Sequence, residues 1–165
     1  MTTRGVLFIH SSPRALAPAV EALISGVLGR RVSMDWIDQP AAPLCLRTEL
    51  SWQAPQGTGA RLASGLRTRG EQRLRFEITE EPSRGSDGGR WSCTPELGIF
   101  HQMMDVHGNN VIREDALRDA LDCGGDLMTL RRKLDLALGQ AWDDELEPFR
   151  YAGAGAPIRW LHRVG

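Results

Sequence analysis

The sequence predicts an α+β fold: an open sheet organised around its first strand, with helices packed against it. Three observations predict it. Gly5-Val6-Leu7-Phe8-Ile9, followed by His10, is an unbroken apolar run closed by Ser11-Ser12-Pro13, the pattern of a strand buried on both faces in mid-sheet. Three later stretches alternate apolar and polar residues, as strands with one wet face do. Two segments between these strands repeat apolar residues at helical spacing.

In chain order, Ser11-Ser12-Pro13-Arg14 turns the chain, and the pattern Leu16, Val20, Leu23, Ile24, Val27, Leu28 predicts a helix. Pro18 would remove an interior hydrogen bond, so the regular helix is expected to start near it, after a tight turn at 13–16. Gly29 ends it. Val32, Met34 and Trp36 alternate with Ser33 and Asp35, which predicts a strand over 31–37. The Pro-rich turn 38–43 leads to a second alternating strand, 44–54, forming a long hairpin with the first. Gly57-Thr58-Gly59 opens a helix over 60–69, with Leu62, Ala63 and Leu66 as its buried stripe and Gly70 as its stop. Leu74, Phe76 and Ile78 alternate with Arg75, Glu77 and Thr79 in a strand over 73–79. The order is then βαββαβ, that of a ferredoxin-like sandwich with its first strand central.

Residues 80–90 read as a loop rich in Gly, Ser and Pro. A strand over 91–104, interrupted by Pro95 and Gly98, and a short return at Val111-Ile112 form a hairpin. Glu114-Asp115 open a short helix closed by Gly124-Gly125. Asp126 caps the longest helix, expected to run to Glu147 on the stripe Leu127, Leu130, Leu134, Leu138, Trp142, Leu146, with Pro148 as its stop. A link at 152–155 leads to a last strand at 157–164. The expected organisation is one domain over 1–165: a ferredoxin-like half at 1–81, and an extension at 90–165 packed on it.

Composition narrows the function. With 20 basic and 21 acidic residues, the net charge of −1 gives no field that would draw the chain to nucleic acid or an anionic membrane. No apolar stretch reaches the roughly 20 residues that span a bilayer, and the first residues lack the apolar core of a signal peptide. Cys45, Cys93 and Cys123 are odd in number and far apart, as expected of unpaired thiols in a reducing cytoplasm. Lys133 is the only lysine among the basic residues, which reads as GC-rich coding rather than as a binding signal.

Three groups of residues have chemistry-bearing patterns. His10, Ser11, Ser12 and Arg14 follow the first strand, and Gly57, Thr58 and Gly59 precede the second helix. Free backbone N–H groups at such places bind small anions, though no Walker lysine or dinucleotide fingerprint accompanies them. Ser12 with His10 is also a conceivable nucleophile and base, but neighbouring strand positions rarely present both to one face. Asp143, Asp144 and Glu147 form an acidic cluster. Acids at a helix C-terminus oppose its dipole and call for Arg partners such as Arg150, or for a function. The histidines His10, His101, His107 and His162 have no fixed ligand spacing, so no metal site is predicted. No cofactor is implied.

Gly5-Val6-Leu7-Phe8-Ile9-His10-Ser11-Ser12-Pro13, Gly57-Thr58-Gly59-Ala60, Arg75-Phe76-Glu77-Ile78-Thr79-Glu80, Thr94-Pro95-Glu96-Leu97-Gly98 and, most specifically, Leu138-Gly139-Gln140-Ala141-Trp142-Asp143-Asp144-Glu145-Leu146-Glu147-Pro148 carry a resemblance. With these motifs the chain resembles, over nearly its whole length, a small family of uncharacterised actinobacterial proteins classed as a domain of unknown function. The resemblance implies a stand-alone cytoplasmic protein and assigns no activity. The expectation is a non-catalytic ligand-binding or regulatory module that forms a homo-oligomer, most simply a homodimer, with a small anion as its ligand. The alternative is a small enzyme or acyl-group-binding protein linked to fatty-acid metabolism. A pocket into which His10, Ser12 and Thr58 converge would favour that alternative.

Overall fold

The apolar run at the start of the chain does occupy mid-sheet. The computed structural model describes residues 1–70, 73–122 and 124–150. Strand β1 (Thr2–Pro13) pairs antiparallel with β3 (Cys45–Pro55) on one side and β4 (Arg75–Glu80) on the other. Leu7 lies between Leu50 and Ile78, and Ile9 between Thr48 and Phe76. The sheet continues through β5 (Gly88–Thr94), β6 (Gly98–Met104) and the short β7 (Asn110–Val111). A two-residue β2 (Ile37–Asp38) lies beyond β3. Among the described residues the order is β2-β3-β1-β4-β5-β6-β7, with every neighbouring pair antiparallel.

Helices α1 (Ala17–Leu28) and α2 (Thr58–Arg69) cover one face of this sheet. Val20 and Ile24 of α1 and Leu62 and Leu66 of α2 are fully buried with Leu7, Ile9, Phe76 and Ile78. Each such side chain contributes about 1.5–3 kcal/mol by leaving water. Helices α3 (Glu114–Leu121), α4 (Leu127–Ala137) and α5 (Gln140–Arg150) follow the sheet. The side chain of Glu77 points away from its neighbours Phe76 and Ile78, and α5 packs over that second face.

Four expectations change. Residues 31–36 alternate in burial, but only Ile37–Asp38 is a strand. The backbone N–H groups of Val32 and Met34 donate to Ser25 Oγ and Glu21 Oε1 of α1, both at 3.0 Å, so helix side chains supply the acceptors that a strand would take from β3. The interrupted strand at 91–104 is two strands, β5 and β6, paired with each other about a turn at 95–97. The long helix breaks into α4 and α5 at Gly139, whose φ of 80° no helix accommodates. Pro148 lies inside α5 rather than ending it, and the helix continues to Arg150. The link at 152–155, the strand at 157–164, His162 and Cys123 fall outside the described residues.

Candidate functional site

The densest polar cluster lies under α5 and is centred on Glu77 of β4, which is 7% exposed. Oε2 accepts from His10 Nε2 of β1 at 2.7 Å and from Arg150 Nε of α5 at 2.8 Å. Oε1 accepts from Arg150 Nη2 and from Arg90 Nη2 of β5, both at 2.6 Å. An ionised carboxylate only accepts, so His10 Nε2 carries the hydrogen in its bond. Asp143 joins the cluster, its Oδ1 accepting from Arg150 Nη2 at 2.7 Å and Arg90 Nη2 at 3.2 Å. Glu147 Oε2 lies 3.5 Å from Arg150 Nη1. Burial alone would push the Glu77 carboxyl up. The hydrogen bonds from His10 and Arg150 and the nearby charges of His10 and Arg90 outweigh it and hold the group well below the usual carboxylate range. Burial acts to lower the Arg150 pKa, but Glu77 and Asp143 more than offset it and raise the value.

The rim of this cluster is packed as well. Gln39, 3% exposed, donates from Nε2 to the carbonyls of His10 and Phe149, at 2.5 and 3.2 Å. Phe8 stacks on the His10 ring, with centroids 5.9 Å apart. The Arg75 guanidinium sits 4.5 Å over the Phe149 ring. Asp144 is turned outward and accepts from Gln140 Nε2 at 2.7 Å. The cluster therefore works as an ionic clamp that fixes α5 to β1, β4 and β5.

The second cluster is the start of α2. Gly57, with φ 83°, aims its N–H and that of Gly59 at one carboxylate, and that carboxylate is Glu80 of β4. Gly57 N donates to Oε1 at 2.7 Å and Gly59 N to Oε2 at 2.6 Å. The anion expected at this helix N-terminus is thus an internal one, 4% exposed. Gly59 is required sterically: a Cβ there would lie 2.6 Å from the Trp91 ring and 2.8 Å from Glu80 Oε2. Thr58 Oγ1 donates to the carbonyl of Pro55 at 2.6 Å.

The remaining candidates do not join them. Ser11 and Ser12 are buried at the far end of β1, where Ser12 Oγ donates to the Pro13 carbonyl at 3.2 Å. Arg14 is exposed and bonds Asp38 at 2.5 Å. Ser12 pairs with Leu46 and Thr2 with Pro55, so Ser12 and Thr58 occupy opposite ends of β1, roughly 30 Å apart at about 3.3 Å per residue. His10, Ser12 and Thr58 share no pocket. Among the described residues no group of three His, Cys, Asp or Glu side chains is placed to hold a metal ion. A cleft of about 210 Å³ opens where α2 ends against the β5–β6 turn, lined by Leu66, Leu74, Phe76, Leu97, Cys93 and the charged Arg67 and Glu96. Burial pushes the Cys93 thiol up to about 11, which leaves it protonated and unreactive at neutral pH.

Sequence reasoning singled out His10, Asp143 and Glu147 but not Glu77, Glu80 or Arg90, the residues that organise both clusters. Alternation put Glu77 on a wet face because nothing in its strand announces that a helix from the end of the chain covers it. The need of Asp143 and Glu147 for partners was the one usable signal.

A family model described as a protein of unknown function (DUF3145) matches residues 6–163. No curated protein and no solved structure matches the chain.

Proposed function

We propose that this chain, which belongs to the DUF3145 family, is a non-catalytic binding and regulatory module that acts as a homodimer in the cytoplasm of an actinobacterium. The observation that carries the reading is the dispersal of its reactive groups. The hydroxyls of Ser12 and Thr58 lie at opposite ends of β1, each bonded to a backbone carbonyl. His10 faces Glu77, and the open amides of α2 hold Glu80. No nucleophile, base and oxyanion donor converge among the described residues, as acyl or phosphoryl chemistry requires.

Its partners are proteins or small ligands rather than nucleic acid or membrane. The net charge of −1 supports the first exclusion. For the second, no helix among the described residues is long and apolar enough to cross a bilayer. A small anion at the α2 loop would have to displace Glu80. We read β1, α1, β2, β3, α2 and β4 as a ferredoxin-like unit. The antiparallel order β2-β3-β1-β4, with two helices on one face, supports this, and β5 to β7 extend the same sheet.

A second reading, an acyl-group binder, draws on the cleft beside Cys93, where buried Leu66, Leu74 and Phe76 back a rim carrying Arg67. Exposure to an activated p-nitrophenyl ester, followed by intact-mass spectrometry, tests the main proposal. The expected result is neither a burst nor an adduct; stoichiometric acylation of Ser12 or Thr58 would replace the module with an enzyme.

A further inference from the structure

Helices α3 and α4 carry an apolar surface that no other element among the described residues covers. Helix α4 has no buried residue, and Ala120 alone is buried in α3. Leu121, Leu127 and Met128, on either side of the turn between the helices, are 71%, 77% and 71% exposed. Large apolar side chains gathered at one place on a surface mark an interaction site.

The charges say what fits there. Helix α3 carries Glu114, Asp115 and Asp119 against Arg118, a net charge of −2. Helix α4 carries Arg131, Arg132 and Lys133 against Asp135, a net charge of +2. The two helices pack together, with Lys133 Nζ bonded to the Asp119 carbonyl at 2.9 Å, so acidic and basic halves lie side by side. Such a surface is complementary to itself. A two-fold axis between two copies places α3 of one on α4 of the other, so that unlike charges meet around the shared apolar residues.

The geometry points to a second copy of this chain as the occupant: a homodimer closed by the α3–α4 hairpins as a four-helix bundle. This inference rests on the homodimer reading above and names its surface. A partner of one sign of charge would satisfy only one of the two helices, whereas an identical copy satisfies both.

Sedimentation equilibrium on the full chain is the test. The expected mass is twice 18.2 kDa at high micromolar concentration. Leu127→Asp with Met128→Arg should yield monomers that keep the wild-type near-ultraviolet circular dichroism. Arg131→Glu with Arg132→Glu should weaken self-association by about tenfold or more. Mixing that variant with Glu114→Lys/Asp115→Lys should restore dimers as a heterodimer, an outcome that misfolded chains cannot produce. A wild-type monomer overturns both this inference and the homodimer reading. A dimer that survives Leu127→Asp/Met128→Arg overturns the surface alone.

Discussion

Glu77 receives four hydrogen bonds from His10, Arg90 and Arg150, on three different elements, so its removal strands the charges of both arginines. Glu77→Gln should cost about 3–5 kcal/mol in urea unfolding at pH 7, because a buried ion pair broken on one side leaves an uncompensated charge. The pH dependence follows from the depressed carboxyl. A carboxylate whose folded pKa lies below its unfolded value contributes in full above about 4.3, and that contribution is lost as pH falls through the folded value. The gap between wild type and Glu77→Gln should therefore narrow as unfolding is measured from pH 6 down to pH 3. Glu80→Ala leaves the Gly57 and Gly59 amides without their buried acceptor and should lower stability by about 3 kcal/mol. At Gly5 a Cβ would lie 2.1 Å from the Trp52 ring and 2.5 Å from the Thr79 carbonyl. Gly5→Ala should shift Trp52 fluorescence and cost at least about 1–3 kcal/mol, as overpacking does.

At the level of elements, the break between α4 and α5 is the feature that builds the clamp. A continuous helix over 126–147 would carry Asp143 and Glu147 along the axis of α4 rather than on the separate helix that packs against the sheet. The left-handed turn at Gly139 redirects the chain, and the Phe100 ring, 2.5 Å from where a Cβ would sit, closes the space above it. Trp142 then stacks on Phe100 at 4.8 Å and donates Nε1–H to the Gly98 carbonyl at 3.0 Å. Gly139→Ala should destabilise by about 1–3 kcal/mol and move Trp142 fluorescence toward that of an exposed indole. The helical stripe from Leu127 to Leu146 was legible in the sequence, but its break was not, because glycine inside a good helical pattern reads as a mild cost rather than a turn. Pro148 misled in the opposite sense. It lies inside α5, and the ion pairs of Arg150 two residues on hold this part of the helix to Glu77.

For the whole molecule, the central strand and the face covered by α1 and α2 could be read in advance. The apolar run of β1 and the alternation in β3 and β4 encode which side chains meet the helices. The second face could not, because its residues are charged and look like solvent positions until α5 arrives from more than sixty residues downstream. The candidate residues were partly legible for the same reason. His10 and Asp143 do lie in one cluster, joined through Glu77 and Arg90, while Gly57 and Gly59 serve a carboxylate, Glu80, that strand alternation gave no cause to connect with them. Local pattern reports the faces of single elements, whereas the clamp and the closed α2 terminus arise from contacts between distant ones.

The polar groups that resemble a site are thus occupied in holding sheet and helices together, and the Glu77–Arg150 pair is where that occupation is strongest. A double-mutant cycle of Glu77→Gln and Arg150→Gln, read by urea unfolding of the full chain at pH 7, measures it directly. The predicted coupling is about 1–3 kcal/mol, falling as the pH is lowered to 3. Strictly additive losses would mean that α5 is not clamped to the second face and would contradict the account.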